Sequence, residues 1–249
     1  MGSTRHSSLE HPILLEAIER FQQQAAAHHH RTGYPFVVAS YAQSLDGCIA
    51  AVPGERFVLS GEQSMLFTHR LRATHDAILV GIGTLLADDP RLTARKVAGP
   101  NPQPIVVDSM LRCPLGARLI TAHPTHKPWI ITTPQSAPSR REALQALGVD
   151  VIPVSATSSG QVNLAKMISV LGQRGIRSVM VEGGTGILTS LLAGGLVNVV
   201  ILTIAPVILG AGLHAIADLG QPDSFPRLQH ILSARLGDDL IVWGELAEA

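Results

Sequence analysis

The sequence predicts an α/β protein with a largely parallel central sheet and helices on both of its faces. From Phe36 onward, short apolar runs alternate with segments of helical periodicity, which is the pattern of strand–helix–strand units. The last part of the chain breaks this alternation, because its apolar runs flank the turn Gly237-Asp238-Asp239. A turn of this composition favours a hairpin, so we expect antiparallel strands to close one edge of the sheet.

The same alternation predicts the individual strands and helices. The strand-like runs are, in order, FVVASY, AILV, PIVVD, WIITT, VDVIPV and SVMVE, and then VVILTIAPVIL, LQHILSARL and LIVWGEL near the C-terminus. Helices are predicted from Gly61, near residues 140–147 and near residues 163–174.

The N-terminal 33 residues look different from the rest. An amphipathic helix is predicted over residues 12–24, and the polar tract AAAHHHRTG follows it. We therefore expect residues 1–33 to form a helical arm or linker and residues 34–249 to form the main domain. His28, His29 and His30 are expected to be solvated rather than bound to a metal, and no metal site is predicted.

Composition narrows the function classes. With 249 residues, 46% of them hydrophobic, the chain can bury a substantial core as one large domain or two small ones. Its formal net charge is zero, which argues against nucleic acid as the main partner. No apolar stretch approaches the roughly 18 residues that span a bilayer, and no signal-peptide core follows the N-terminus. We expect a cytoplasmic protein with no membrane association, in which Cys48 and Cys113 are reduced.

The helix that starts near Gly61 carries its own start signal. Ser60 and Gln63 are spaced as a capping box, in which the hydroxyl and the amide satisfy backbone N–H groups reciprocally. Arg72 lies at the end of this helix, just before the run AILV. It is either a surface arginine that complements the helix dipole or a residue that points into a cleft.

The segment AILVGIGTLLADDPRLTAR joins a buried strand to a glycine turn. Gly81 and Gly83 allow the backbone to turn tightly and to approach a ligand without a Cβ in the way. Thr84 offers a hydroxyl one helical turn before Asp88, so both side chains can face one ligand.

The end of that segment carries charges suited to a phosphorylated ligand. Of the two adjacent aspartates, Asp89 precedes Pro90 and is the one expected to form a turn. We therefore expect the Asp88 side chain to point into the cleft. Arg91 and Arg95 supply guanidinium groups suited to phosphate.

A second glycine turn supports the first. The strand SVMVE is followed directly by Gly183, Gly184, Thr185 and Gly186, and then by a helix from Ile187. A strand, a glycine turn and a helix N-terminus together place backbone N–H groups and a positive dipole end where an anion can bind. The spacing is neither that of the Rossmann fingerprint nor that of a P-loop.

Taken together, these motifs resemble one family. The strings YAQSLDG, THRLRATHDAILVGIGTLLADDPRLTAR, PIVVDSMLRCP, VMVEGGTGIL and TIAPVILG, in this order, are similar to the riboflavin-biosynthesis pyrimidine reductases. The resemblance extends over about residues 35–245. It implies a three-layer, dihydrofolate-reductase-like α/β/α fold in the main domain and a homodimer. It also implies NADPH as cofactor and reduction of a ribosylamino-pyrimidine 5′-phosphate to its ribitylamino form.

The resemblance also implies roles for particular residues. The residues expected near the cofactor are Ala42, Val58, Thr84, Asp88, Gly183, Gly184, Thr185, Gly186 and Ile187, in a run that continues to Ser190. The residues expected to bind substrate are Arg56, Arg72, Leu92, Arg95 and Glu182. Asp88 and Glu182 are the candidate catalytic residues.

Three positions depart from the pattern of the bacterial bifunctional deaminase-reductases. Those proteins have a serine and a tryptophan where this chain has Arg56 and Val58, and a lysine where it has Ser40. The sequence motifs are more similar to those of the stand-alone fungal and archaeal reductases. This favours the 2,5-diamino substrate over the deaminated one, but both substrates stay open. A same-fold reductase of another pterin-like metabolite and a non-catalytic nucleotide-binding protein remain as alternatives.

The deaminase half has no counterpart in the sequence. Zinc deaminases need an H-x-E ligand motif and a C-x-x-C turn, and the chain has neither. We therefore expect reduction without deamination.

Overall fold

The computed structural model describes residues 11–55, 57–220 and 225–247, and within these ranges the chain forms seven helices and eleven strands. The helices are α1 (Pro12–Thr32), α2 (Glu62–Thr74), α3 (Ile82–Asp88), α4 (Arg118–Thr121), α5 (Pro138–Ala146), α6 (Leu164–Gln173) and α7 (Thr185–Ala193). The strands are β1 (Phe36–Ser44), β2 (Cys48–Ala50), β3 (Ala77–Gly81), β4 (Gln103–Val107), β5 (Trp129–Thr132), β6 (Asp150–Pro153), β7 (Ser178–Gly183), β8 (Val199–Ala205), β9 (Leu213–His214), β10 (Leu228–Leu236) and β11 (Asp239–Leu246).

Across the described residues, nine strands form one sheet in the order β10-β11-β8-β1-β7-β3-β4-β5-β6. All pairings from β8 to β6 are parallel, and β11 and β10 continue the sheet in antiparallel fashion. The predicted fold class is thus confirmed, including the C-terminal hairpin around Gly237. The prediction is wrong for one run: β8 pairs in parallel with β1 and is antiparallel only to β11. The helix between β7 and β8 returns the chain to the same end of the sheet, and this makes β8 parallel.

Both faces of the sheet are covered, as a parallel sheet requires. Side chains alternate along β1, so that Val37 and Ala39 pack under α6 and α7 while Phe36 and Val38 pack under α1 and α2. Further along the sheet, α3, α4 and α5 cover the second face. These three layers give the α/β/α arrangement that was predicted for the main domain.

The polar tract that follows the predicted N-terminal helix is itself helical. Helix α1 continues through AAAHHH to Thr32 and ends at Gly33, which adopts a left-handed conformation with φ of 73°. The buried residues of α1 recur every three or four positions and pack on the sheet; they are Leu14, Ala17, Ile18, Phe21 and Ala25. Residues 1–10 lie outside the described ranges, so the division of the chain at residue 33 stays a prediction.

The predicted solvation holds for His30, which is exposed, but needs a correction for His28. The His28 ring packs edge-on against Phe36, with ring centroids 5.8 Å apart, and is only partly exposed. No cluster of three or more potential metal ligands occurs among the described residues. Within the same ranges, no helix has the length and hydropathy needed to cross a membrane.

The predicted capping box is wrong. Helix α2 begins at Glu62 with Gly61 as its N-cap, and no side chain caps it locally. The Gly61 N–H instead donates to Asp239 Oδ2 over 2.8 Å. An acceptor at the start of β11 therefore fixes this helix end, which a local pattern cannot reveal.

The two glycine turns lie side by side, because β3 and β7 are neighbours in the sheet. A Cβ at Gly81 would stand 2.7 Å from Cγ1 of Ile187, closer than packed carbon atoms approach. A Cβ at Gly184 would stand 3.1 Å from Oγ1 of Thr84. The start of α3 and the start of α7 are thus in direct contact.

We expect Gly81→Ala to destabilise the protein by about 1–3 kcal/mol, the usual cost of overpacking, because the new methyl group collides with Ile187. Gly83→Ala is the matched control: a Cβ at Gly83 meets no described atom within 4 Å, and alanine favours the helix. Urea unfolding of both variants tests this expectation. Equal stability of the two variants would contradict it.

Candidate active site

A cavity of about 1180 Å³ opens at the carboxyl ends of β3, β4 and β7. Both glycine turns line it, through Gly81 and Gly83 on one side and through Gly184, Thr185 and Gly186 on the other. Ligands of open parallel sheets bind at this end of the strands. The cavity is therefore the candidate active site.

The two turns supply different chemistry to the cavity. Helix α7 begins at Thr185, directly after a cis peptide between Gly183 and Gly184, so its N-terminus faces the cavity. This end attracts anions. Helix α3 contributes Thr84 and Asp88, which both line the same cavity. One site thus contains both an anion-binding helix N-terminus and a carboxylate.

The two adjacent aspartates differ as the sequence indicates. Asp88 lines the cavity. Asp89 ends α3 in a left-handed conformation with φ of 40°, and its Oδ1 accepts from the Arg118 N–H over 2.8 Å. Asp89 therefore secures the turn, and Asp88 faces the ligand space.

Arg72 and Glu182 form a bidentate ion pair next to the second glycine turn. Arg72 Nε lies 2.6 Å from Glu182 Oε1, and Arg72 Nη2 lies 2.7 Å from Glu182 Oε2. Arg72 Nη1 also donates to the Thr93 carbonyl over 3.0 Å, and Arg95 Nη1 donates to Thr93 Oγ1 over 3.3 Å. Arg72 is therefore a largely buried, paired arginine, with 11% of its side chain exposed, and its place in the ligand site stays a prediction.

Three of the residues assigned to substrate therefore form one group. We call Arg72, Glu182, Thr93 and Arg95 the arginine cluster. None of its members lines the cavity among the described residues. Only Gly183 separates Glu182 from Gly184, which lines the cavity. The arginine cluster therefore adjoins the cavity.

Three other predicted site residues are placed differently. Leu92 packs in the core under α3 and the whole residue is only 1% exposed, so it offers a ligand no surface. Ala42 lies on β1, and Val58 is 57% exposed; neither is in the described cavity wall. Arg56 lies outside the described residues.

Part of the cavity wall has no counterpart among the predicted site residues. Ser109 and Arg112 follow β4, in a motif used only for the resemblance, and Thr157 and Gln161 come from a loop without any sequence signal. Ser109 Oγ donates to Gln161 Oε1 over 3.2 Å and accepts from the Val162 N–H over 3.1 Å. These bonds join the loop to the end of β4.

The segment that follows β8 contributes Leu213 to the cavity wall, and side chains anchor this segment at both ends. The Asp46 carboxylate accepts from Ser44 Oγ and from the N–H groups of Leu209 and Gly210. These hydrogen bonds, the Ser44 bond first among them, lower the pKa of Asp46 to about 2. Further on, Thr185 Oγ1 donates to the His214 carbonyl over 2.5 Å.

His69 lies on α2, one turn before Arg72. Its side chain is fully buried. Burial, together with the positive charges of Arg72, Arg95 and Lys96, lowers the pKa of His69 to about 3. The ring is therefore neutral at pH 7.

Comparison with known proteins agrees with this geometry. A family model described as the RibD C-terminal domain matches residues 35–242. The 2,5-diamino-6-ribosylamino-4(3H)-pyrimidinone 5′-phosphate reductase of Methanothermobacter thermautotrophicus is 38% identical over 221 residues, which cover 84% of this chain and 96% of the relative. The riboflavin biosynthesis protein RibD of Actinobacillus pleuropneumoniae is 33% identical over 86% of this chain, and the match spans 58% of that relative.

Solved structures show the same likeness. The riboflavin biosynthesis reductase Rib7 of Saccharomyces cerevisiae aligns with a TM-score of 0.72 and 28% identity, covering 92% of this chain and 99% of that structure. The RibD of Acinetobacter baumannii aligns with a TM-score of 0.76 over 90% of this chain and 62% of that structure. At 23% identity, the second match bears on the fold alone.

We expect the loss of one partner of the Arg72–Glu182 pair to cost much more stability than the same loss in an exposed pair, because the remaining charge is left buried and unpaired. The side chains of the pair are 11% and 14% exposed, and removing one partner of a buried pair costs about 3–5 kcal/mol. Arg174 and Asp150, at 38% and 46% exposed, are the matched control, with a coupling of about 0–1 kcal/mol. Double-mutant cycles with Arg72→Met and Glu182→Gln, and with Arg174→Met and Asp150→Asn, measure both couplings. Similar values for the two pairs would refute the expectation.

Proposed function

Because the chain belongs to the RibD C-terminal domain family, we propose that it is a reductase of riboflavin biosynthesis that converts the ribosylamino group of a pyrimidine 5′-phosphate into a ribitylamino group. One observation carries the proposal: a cavity lined by two glycine turns adjoins the arginine cluster. The first feature suits a dinucleotide, and the second suits a phosphorylated, hydrogen-bonding substrate.

The residues fit a nicotinamide dinucleotide. The cavity, at about 1180 Å³, exceeds the usual range of small-molecule sites. The N-terminus of α7 can hold a phosphate group of the cofactor, with Gly184 and Gly186 leaving room for close approach. When bound, such a cofactor supplies the hydride.

The protein's own contribution is to bind and to orient. The ribosylamine can open to an imine, whose sugar C1 is the atom that must accept hydride. Arg95 would hold the substrate phosphate, and Glu182, fixed by Arg72, would accept hydrogen bonds from the pyrimidine or the sugar. Asp88 would orient the reactants from the α3 side. Holding reacting atoms in near-attack geometry can lower a barrier by roughly 7 kcal/mol or more.

We propose the 2,5-diamino pyrimidine as the substrate. The relative from Methanothermobacter thermautotrophicus carries that substrate in its name and is similar over nearly its whole length. Following NADPH oxidation with the diamino and with the deaminated substrate tests the proposal directly. Faster turnover of the deaminated compound would reverse the substrate assignment, and turnover of neither would favour another pterin-like metabolite.

We further propose a homodimer. The outer strand β10 exposes 59% of Ile231 and 47% of Leu232, and in the described residues no strand pairs with its outer edge. A second copy would cover both the apolar side chains and the open edge. Sedimentation equilibrium measures the mass, and a monomer at micromolar concentration would contradict this assignment.

We expect NADPH to be preferred over NADH, with Arg112 as the 2′-phosphate contact. Arg112 lines the cavity, as Ser109 and Thr157 do. Arg112→Gln should lower kcat/KM for NADPH about 10- to 100-fold, the value of one charge-assisted hydrogen bond, and change NADH use little. Arg118→Gln, an exposed arginine outside the described cavity wall, is the control. An equal loss with both cofactors would remove Arg112 from this role.

We expect Asp88 and Asp89 to separate activity from stability. Asp88→Asn should keep the melting temperature but lower kcat by about an order of magnitude or more, because a cavity carboxylate is neutralised. Asp89→Ala should keep kcat and lower stability by about 1–2 kcal/mol, since it removes the acceptor for the Arg118 N–H and alanine adopts a positive φ less readily than aspartate. Calorimetry and steady-state kinetics measure both. Normal turnover of Asp88→Asn would reassign this carboxylate to the scaffold.

A further inference from the structure

Arg112 lies on the loop that follows β4, between two buried residues. Leu111 is 1% exposed and Cys113 is 0% exposed, whereas Arg112 is exposed and lines the cavity. Among the described residues of the cavity wall, Arg112 is the one arginine, and no lysine lies there. The direction in which Arg112 leaves the loop therefore depends on how the backbone around its two neighbours is held.

Both peptide groups of Arg112 are held by side chains. Arg140, on α5, donates from Nε to the Leu111 carbonyl over 3.1 Å, which fixes the peptide before Arg112. Its Nη2 donates to the Cys113 carbonyl. The Cys113 N–H donates to Asp108 Oδ2 over 2.7 Å, which fixes the peptide after Arg112. Because a guanidinium is planar and presents its N–H groups as a rigid fork, Arg140 also fixes the two carbonyls relative to each other.

The backbone at Leu111 has a conformation that the loop must maintain. Its φ is 54°, in the left-handed region that residues other than glycine seldom adopt. The Leu111 N–H donates to the Asp108 carbonyl over 3.2 Å, within the loop itself. Arg140 is partly buried, reaches the loop from α5 and is not part of the described cavity wall. Removing it takes the donor away from the Leu111 carbonyl, so Leu111 can relax towards a negative φ and turn Arg112 with it.

We propose that Arg140 is a positioning residue that sets the cofactor preference of the cavity. It holds the backbone of Arg112 so that the Arg112 guanidinium meets the 2′-phosphate of a dinucleotide, and it touches no part of that ligand itself. The inference rests on the proposed function in taking this dinucleotide as the ligand and Arg112 as its phosphate contact. Loss of Arg140 therefore lowers the discrimination by the 2′-phosphate and not nucleotide binding in general.

Two nucleotides that differ only in the 2′-phosphate measure this effect without any turnover. Calorimetric titration gives the Kd of adenosine 2′,5′-bisphosphate and that of adenosine 5′-monophosphate, and the ratio of the two values is the 2′-phosphate preference. Arg140→Met should lower the preference about 10-fold, the lower end of the value of one charge-assisted hydrogen bond. The affinity for the monophosphate should stay nearly unchanged. An unchanged preference, or an equal loss of affinity for both nucleotides, would overturn the inference.

Two further variants separate the geometry of Arg140 from its charge. Arg140→Lys keeps the positive charge but has a single nitrogen, which cannot reproduce the two parallel hydrogen bonds, so the preference should still fall. Arg141 is the matched control on the same helix, because it is also partly buried and its Nη2 donates to Ser136 Oγ over 3.1 Å. Arg141→Met should keep the preference. A preference kept in Arg140→Lys, or lost equally in Arg141→Met, would refute the inference even if Arg140→Met failed to fold.

A double-mutant cycle tests whether Arg140 acts through Arg112. In the background of Arg112→Gln, Arg140→Met should lower the preference no further, to within about twofold. Additive losses would refute the inference, because a merely structural defect does not require Arg112. An unmodified protein without any 2′-phosphate preference would also refute it. A preference that depends on Arg140, in a protein that oxidises no NADPH with the pyrimidine phosphate, would refute the proposed function and support this inference.

Discussion

The contact between the two glycine turns is the constraint on which the site depends. Because β3 and β7 are adjacent, α3 and α7 start side by side, and only a residue without Cβ at Gly81 allows Ile187 to come so close. Thr84 and Gly184 meet in the same way. The helix that offers an anion site and the helix that offers Asp88 therefore face one cavity.

Local patterns predicted the fold well where the determinant was local. The alternation of apolar runs and helices gave the parallel sheet, and the turn at Gly237 gave the hairpin. The failures were tertiary: α1 extends through a histidine tract because its apolar side chains pack on the sheet, and α2 is capped by Asp239, which is distant in sequence. β8 is parallel to β1 because of a crossover helix.

The residues of the site differ in the same way: some were predictable from local patterns and others were not. Thr84, Asp88 and Gly184 line the cavity as predicted, since each follows directly from a strand and a glycine turn. The family resemblance assigned Arg72 and Glu182 to the substrate site, but neither it nor any local pattern predicted their ion pair. The loop with Thr157 and the segment after β8 were not predictable, because hydrogen bonds such as that of Asp46 to Gly210 join residues with no shared local pattern.

The position of β1 in the sheet has a consequence for how the protein is made. This strand emerges early from the ribosome, yet both of its neighbours arrive late: Phe36 pairs with Ser178, and Val38 pairs with Val199. Until those residues are synthesised, a nascent chain carries β1 with two open edges. Such edges pair readily with foreign strands. Helix α1 precedes β1 in the chain and packs on one of its faces, so it can cover that face during translation but leaves both edges open.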